Sequence, residues 1–394
     1  MRETISQLTT AAAEAPADID RLRNILIACG QWEHAVENGA ASPCFSEPKH
    51  ATDSLTTMDR PDQDTLTALR DLTDCAADAF CLAWRLESTR TPLPRANLST
   101  YEMRDPVTER IAPWIDAVFA QLAAVPETGR SLRVEVLEGF TNGLLYPEQY
   151  AAAAERWCRE NKGLAVASRA AVVGVQGIGA SLSAVVAGML RLNGWRASRF
   201  VVQPSENRSE PEVVLPVREM SALALTTQML IVDGDVEHGW ASMRATASAI
   251  ESAGIDRRRV SYFPALSGDE EPSTYHAPLP TVRAAGYSLV ERLVDRTMKH
   301  FAVGCSMREI AVEELTSDER PAYRIAMPDG RALTWRFAGV AVDEAGKPLA
   351  QAVFETLQAR AAEGRAVAPV DAALGFVAVP CTHEQAECHS LKAA

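Results

Sequence analysis

The feature that most constrains this chain is a regular alternation of short apolar runs and amphipathic segments between Ala171 and Phe263. The apolar runs are bounded by turn-forming residues and predict buried strands over Ala171–Val175, Ser198–Val202, Met229–Val232 and Val260–Phe263. Helices are predicted between them, over Ser181–Leu192 and Ala241–Ala253. Strands that alternate with crossover helices form a parallel sheet, so the sequence predicts an α/β fold.

The rest of the chain is predicted to surround this core. Residues 1–130 form a helical N-terminal region, residues 131–268 the α/β core, and residues 269–394 a mixed α/β C-terminal region. Helices are expected over Ile19–Cys29, Leu66–Arg85, Val107–Ala124, Leu289–Phe301 and Ala350–Gly364. Polar loops are expected over Glu37–Gln63 and Pro204–Glu219, and a hairpin over Tyr323–Met327 and Ala332–Phe337.

Charge and hydropathy exclude several classes of protein. A net charge of −13 argues against non-specific nucleic-acid binding, which depends on Lys and Arg. The sequence contains no run of roughly 18 apolar residues that would span a bilayer, and the N-terminal segment is polar. We therefore expect a cytoplasmic protein with no membrane partner.

Cys381, His383, Cys388 and His389 cluster near the C-terminus, where a zinc site and a polar tail are alternative interpretations.

The first candidate site is the glycine turn that follows the first predicted strand, Gly174-Val175-Gln176-Gly177-Ile178-Gly179. Such a turn exposes backbone N–H groups at a helix N-terminus, where the helix dipole favours an anion. A dinucleotide-binding turn is one interpretation, but that motif expects an acid about 20 residues further on. The second strand ends at Gln203-Pro204 without one. A tight turn with no ligand is the other alternative.

The second candidate site is the acidic turn that follows the third predicted strand. There, the apolar run Met229-Leu230-Ile231-Val232 leads into Asp233-Gly234-Asp235-Val236-Glu237-His238-Gly239-Trp240-Ala241-Ser242. In open parallel sheets, ligands bind at the carboxyl ends of the strands. We therefore expect the glycine turn and the acidic turn to face one crevice.

The acidic turn resembles the signature of the type I phosphoribosyltransferases, in which a strand precedes two acids and a phosphate loop rich in Thr and Gly. The order of the two turns is similar to that family, as is Arg199-Phe200-Val201-Val202-Gln203-Pro204 before a polar loop. The resemblance covers the segment from Ala171 to Phe263. It implies a parallel sheet of the phosphoribosyltransferase type.

The resemblance also implies an activity, the transfer of a 5-phosphoribosyl group from phosphoribosyl diphosphate to a small-molecule acceptor, with Mg²⁺. A protein of this kind is a glycosyltransferase acting on a pentosyl group, and a homodimer is a compatible assembly. The implied catalytic residues are Asp233, Asp235, Glu237 and His238, of which Asp233 and Asp235 would hold Mg²⁺. The implied phosphate-binding residues are Gln176, Gly177, Ile178, Gly179, Gly239, Trp240, Ala241 and Ser242.

The chain departs from the family within the acidic turn. Gly234 stands where the family has its second acid, and Glu237 and His238 replace small hydroxyl residues. At an effective dielectric near 20, a carboxylate among phosphate-binding amides repels the ligand by a few kcal/mol. Glu237 must therefore turn away, bind Mg²⁺ or bind an acceptor amine if the site takes a ribose 5-phosphate.

Several roles stay open at the level of sequence. His238 is either a general base or phosphate donor, or a polar surface residue, and Trp240 either stacks on a ligand or packs in the core. Arg208 or Arg218 would close over the site as a lid. The alternatives to a transferase are a non-catalytic nucleotide-binding or sugar-phosphate-binding regulator and an NAD(P)-dependent oxidoreductase that uses the glycine turn.

Overall fold

The structure is a computed structural model that describes most of the chain. The described residues are 2–14, 18–41, 60–88, 106–126, 136–141, 145–165, 168–204, 211–213, 215, 217–234, 239–263, 289–315, 320–343 and 346–381. They fall into two compact units. The first comprises Met1–Gly139 and Leu145–Gly286, and the second comprises Phe140–Leu144 and Tyr287–Ala394.

The described helices and strands are numbered in chain order. The helices are α1 (Arg2–Glu14), α2 (Ile19–Ala41), α3 (Arg60–Ser88), α4 (Pro106–Ala124), α5 (Glu138–Thr141), α6 (Pro147–Glu160), α7 (Lys162–Ala165), α8 (Ile178–Leu192), α9 (Val217–Ala224), α10 (Gly239–Ser252), α11 (Leu289–Phe301) and α12 (Leu349–Ala362). The strands are β1 (Arg169–Val175), β2 (Arg196–Val202), β3 (Gln228–Val232), β4 (Val260–Phe263), β5 (Ala311–Leu315), β6 (Ala322–Ala326), β7 (Ala332–Phe337), β8 (Asp371–Ala373) and β9 (Phe376–Cys381).

The first unit contains a parallel sheet in the order β2-β1-β3-β4. Each neighbouring pair runs parallel, with Val175 beside Val202 and Gly174 beside Val232. The four predicted strands and their crossover helices are therefore confirmed, and the fold class is α/β. Continuous apolar runs were sufficient to predict β1, β3 and β4 because these strands are buried almost throughout.

The two faces of this sheet pack against different helices. On one face, Val173 and Ile231 contact a core that includes Met243 and Ile250 of α10. On the other face lies α8, whose residues from Ile178 to Leu190 are all buried. A helix that is apolar on every side must be covered on every side, and α8 is packed against α2, α3 and α6 as well as β1. The helical N-terminal segments thus complete the layer that covers the sheet.

Two loop predictions in this unit were wrong in part. The polar loop predicted from Glu37 begins inside α2, which continues to Ala41, and α3 already begins at Arg60. The last turns of α2 are held by tertiary ion pairs, among them Glu37 with Arg70. Helix α9 begins at Val217, inside the loop predicted over Pro204–Glu219, and Pro204 pairs with Val213 in an isolated antiparallel bridge.

The second unit contains an antiparallel sheet in the order β5-β6-β7-β9-β8. The predicted hairpin is confirmed as β6 and β7, and α11 matches its predicted bounds residue for residue. Helix α12 covers one face of this sheet through Ala350 and Leu357. The strands β5, β8 and β9 were not predicted. Among the helices that the structure describes, none combines the length and the apolar character that crossing a bilayer requires.

Candidate functional site

The glycine turn and the acidic turn leave the same edge of the parallel sheet. Strands β1 and β3 are neighbours, and Gly174 of β1 lies opposite Val232 of β3. Gln176 and Asp233 therefore emerge side by side. The chain also crosses from β1 to β2 on one side of β1, and β3 then pairs with the other side of β1. This is the switch point at which open α/β sheets bind ligands.

Packing explains two of the three glycines in the glycine turn. A Cβ on Gly174 would lie 2.5 Å from the carbonyl oxygen of Gly179, and a Cβ on Gly179 would lie 2.8 Å from the carbonyl oxygen of Val232. Both glycines allow α8 to approach the sheet closely. Gly177 differs, because it has a φ of 95° and a Cβ there would have no described atom within 4 Å. Gly177 is thus the glycine of this turn whose Cβ position is clear of every described atom.

Gln176 is tied to its surroundings through both its backbone and its side chain. Its backbone N–H donates to the carbonyl oxygen of Val202 at 2.8 Å. Its side-chain Nε2 donates to Oδ1 of Asn38 on α2, also at 2.8 Å. Nδ2 of Asn38 in turn lies 3.0 Å from Nε2 of His34. Asn38 and His34 were not predicted as site residues. Asn38 lies in the loop that was predicted over Glu37–Gln63.

Asp233 is largely enclosed. The residue is 6% exposed, and its Oδ1 accepts a hydrogen bond from the backbone N–H of Gly234 at 2.7 Å. The hydroxyl of Tyr150 on α6 donates to the carbonyl oxygen of Asp233 at 2.7 Å. Burial, with a contribution from Asp233, raises the pKa of Tyr150, so the phenol stays a proton donor. No pattern in the sequence predicts that α6 supports this turn.

The space beside Gly234 is occupied by apolar side chains. A Cβ on Gly234 would collide with Cγ2 of Ile178 and would lie 3.0 Å from Cδ1 of Leu145. A Cβ on Gly139 would lie 2.6 Å from Cδ1 of Ile178. Ile178 was predicted to serve a ligand through its backbone, and its side chain packs beside Gly234 and Gly139. The second acid of the family pair has no room here.

The predicted phosphate loop is described only from Gly239 onward. Asp235, Glu237 and His238 lie outside the described residues, so their roles stay predictions. Gly239 begins α10, and Ala241 and Ser242 are half-buried in its first turn.

Trp240 requires a correction. Its side chain is 8% exposed and lies in the core, edge-on to Tyr262 with ring centroids 5.6 Å apart. The ring packs against the sheet because the first turn of α10 directs it inward. Of the two predicted interpretations, the structure has the packed one, and the ring is not available for stacking on a ligand.

The structure describes few of the other residues that were predicted to take part in a site. Arg208 lies outside the described residues, and Arg218 is within α9. Cys381 ends β9, while His383, Cys388 and His389 are also outside. Within the described parts of the chain, no three His, Cys, Asp or Glu side chains form a group that could hold a metal ion.

The described residues are still compatible with Mg²⁺. Asp233 is the described carboxylate in the acidic turn, and Asp235 is not described. Proteins commonly hold Mg²⁺ through one or two carboxylates, with water and substrate phosphates completing the shell. A single described carboxylate at the end of β3 fits that pattern.

A buried ion-pair network lies behind the glycine turn. The side chain of Arg199 on β2 is 2% exposed and binds Glu33 at 2.9 Å and Asp74 at 2.8 Å. Burial lowers the pKa of Arg199, but Asp74 and Glu33 outweigh this effect and hold it above its usual range. An arginine within a predicted buried strand was the one sequence signal for this network, because a buried cation needs partners.

Glu37 is a buried carboxyl group of this network with a raised pKa. Burial raises its pKa to about 7, and Glu33 adds to the rise while Arg70 opposes it. Its Oε1 binds Nη2 of Arg70 at 2.7 Å. Glu37 therefore exchanges its proton near neutral pH, one residue away from Asn38.

Comparison with family models, curated proteins and solved structures finds no match to this chain.

Proposed function

We propose that this chain binds phosphoribosyl diphosphate at the carboxyl edge between β1 and β3 and, with Mg²⁺, transfers its 5-phosphoribosyl group to a small-molecule acceptor. The observation that carries the proposal is the parallel pairing of β1 with β3. This pairing brings an open glycine at a helix N-terminus beside a carboxylate. A sugar diphosphate requires both features, an anion site for the diphosphate and an acceptor for the sugar hydroxyls.

Each part of the ligand has a counterpart at this edge. The diphosphate would lie at Gln176 and Gly177, next to the N-terminus of α8. The ribose hydroxyls would donate to Asp233, and the 5′-phosphate would lie at the N-terminus of α10, over Gly239–Ser242. Asp233 and Asp235 would hold Mg²⁺, which when bound neutralises charge on the diphosphate.

The reaction breaks the bond between C1 of the ribose and the diphosphate oxygen, whose electron pair leaves with the diphosphate. It forms a bond from C1 to the acceptor, which gives up one proton to solvent. Because C1 becomes cation-like, the chain's task is to position the two reactants and to stabilise the leaving diphosphate. No protein nucleophile is needed. Asp233 is 6% exposed, so we expect ribose binding to rearrange the packing around it.

A second candidate is a regulator that binds the same ligand without turnover. The specific observation in its favour is Gly234, because the family's second acid has no room beside Ile178. The two candidates share a ligand site and differ in chemistry. Release of diphosphate with a panel of amine and nucleobase acceptors separates them, since a regulator binds the ligand and releases none.

Calorimetry tests the shared site. We expect phosphoribosyl diphosphate with Mg²⁺ to bind and NADH and NADPH not to bind, because β2 ends without the carboxylate that would hold an adenosine ribose. Asp233→Asn should weaken phosphoribosyl diphosphate by roughly 10- to 100-fold, the effect of losing a hydrogen bond to a charged group. Asp256→Asn is the matched control, since Asp256 precedes β4 at the opposite edge of the sheet. Equal affinity in the wild type and Asp233→Asn would remove Asp233 from the site.

A further inference from the structure

A chain of polar side chains connects α2 to the glycine turn. We call His34, Asn38 and Gln176 the amide relay. Asn38 joins its two ends, because its Oδ1 accepts from Gln176 Nε2 at 2.8 Å and its Nδ2 lies 3.0 Å from His34 Nε2. The nitrogen of an amide can only donate, so His34 Nε2 accepts in this arrangement. The relay therefore has a defined direction, from Gln176 through Asn38 to His34.

The helix that carries the relay is fixed independently of it. Glu33 of α2 forms a two-point ion pair with Arg199, at 2.9 and 3.1 Å. Nη1 of Arg199 also donates to the carbonyl oxygen of Ala180, in the first turn of α8, at 3.3 Å. These bonds already tie α2 to the start of α8. Asn38 is thus not required to hold the helix in place, and its bond to Gln176 calls for another explanation.

Gln176 is the residue directly before Gly177, whose Cβ position is clear of every described atom. Its nitrogen carries two hydrogens, of which Asn38 takes one. The second is a donor suited to an anionic oxygen at Gly177. A glutamine side chain that is already held in one rotamer loses less conformational entropy when it binds a ligand than a free one does. The geometry therefore suits an amide that is prepared in advance for an anion.

We propose that Asn38 is a positioning residue for the diphosphate group, acting by holding the Gln176 amide beside Gly177. This inference rests on the proposed function and extends the ligand site to α2, a helix outside the segment that resembles the phosphoribosyltransferases. Gln176 contacts the ligand, and Asn38 acts through Gln176. The ligand class is an inorganic or sugar-linked diphosphate.

A double-mutant cycle tests this role with inorganic diphosphate and Mg²⁺ as the probe, measured by calorimetry. Asn38→Leu keeps the approximate shape of the side chain and removes both hydrogen bonds. We expect it to weaken diphosphate binding about 3- to 10-fold, the usual range for one hydrogen bond. The double variant with Gln176→Ala should bind no more weakly than Gln176→Ala alone, because Asn38 has nothing left to position. Asn161→Leu, at the end of α6, is a control with no expected effect on binding.

A second measurement examines the relay without any ligand. The side-chain amide resonance of Gln176, identified by its absence in Gln176→Ala, should move in the ¹⁵N spectrum of Asn38→Leu. An unmoved resonance overturns the relay, and effects that simply add in the cycle overturn the positioning role. If the wild type binds diphosphate and the cycle is additive, the inference fails alone. If the wild type binds neither diphosphate nor phosphoribosyl diphosphate, the proposed function fails together with it.

Discussion

The glycine turn and the acidic turn lie side by side at one sheet edge, yet they are built in opposite ways. In the glycine turn, the Cβ position of Gly177 is clear of every described atom, and the side chain of Gln176 is held by Asn38 of α2. At the start of the acidic turn, Gly234 packs against Ile178 and Leu145, and Asp233 is almost fully enclosed. At Gly177 the glycine turn is thus clear of described atoms, while Gly234 of the acidic turn is surrounded by apolar side chains. Substitutions in the two turns should reveal this difference.

The largest effect is expected when Gly234 of the acidic turn is replaced by aspartate. Gly234→Asp forces a side chain into Ile178 and buries a carboxylate among apolar groups. Overpacking and burial together should lower the free energy of unfolding by about 3 kcal/mol or more. Urea denaturation measures the change. Adding Ile178→Ala in the same chain should recover part of the loss, and a single variant as stable as the wild type would mean that the acidic turn is not closed.

A smaller loss is expected where the glycine turn packs against β3. In Gly179→Ala the new Cβ would lie 2.8 Å from the carbonyl oxygen of Val232, a backbone atom that cannot rotate away. Helix α8 must shift, and we expect a loss of about 2 kcal/mol in the free energy of unfolding. Gly163→Ala is the matched control, because a Cβ there would have no described atom within 4 Å. Equal losses in the two variants would contradict the close approach of α8 to β3.

The polar support behind the glycine turn should make stability depend on pH. Burial raises the pKa of Glu37 to about 7 from an ordinary value of 4.5, so the folded chain binds this proton more tightly than the unfolded chain. This contribution is complete below about pH 4.5 and is lost as the pH rises through about 7. Glu37→Gln cannot ionise, and it should reduce the loss of stability over this interval by on the order of 1–2 kcal/mol.

Denaturation across a pH series from 4 to 8 measures this slope. The control is Glu160→Gln, an exposed carboxylate paired with Arg156 on the surface of α6. Its slope should match that of the wild type, because exposed ion pairs contribute little. A Glu37→Gln slope that also matches the wild type would mean that Glu37 ionises normally in the folded chain.

The smallest effect is expected at the open glycine. In Gly177→Ala the new Cβ meets no described atom within 4 Å, but the residue must adopt a φ of 95°. The cost is backbone strain of about 1 kcal/mol, without any steric overlap. Urea denaturation should therefore rank Gly177→Ala below Gly179→Ala. The reverse order would show that Gly177, too, is enclosed by packing.

Local sequence was sufficient for most of the framework. The strand Val260–Phe263 and the helix Leu289–Phe301 match their predicted bounds because each is a short apolar or amphipathic run between clear breakers. The shared edge of the two turns also followed from the sequence, since parallel strands joined by crossover helices place their carboxyl ends together. The predictions were wrong where a helix occupies a segment predicted as a polar loop, in α2 beyond Glu37 and at the start of α9.

The sequence by itself determined the order of the elements in the core, the parallel sheet and the position of its two turns. It did so because hydrophobic periodicity and glycine are local properties of the chain. Only the tertiary structure decided which side chains pack around each of the two turns. That outcome depends on side chains from distant segments, Leu145 beside Gly234, Tyr150 at Asp233 and Asn38 at Gln176. No periodicity records such contacts, since they arise only when α2 and α6 pack against the sheet.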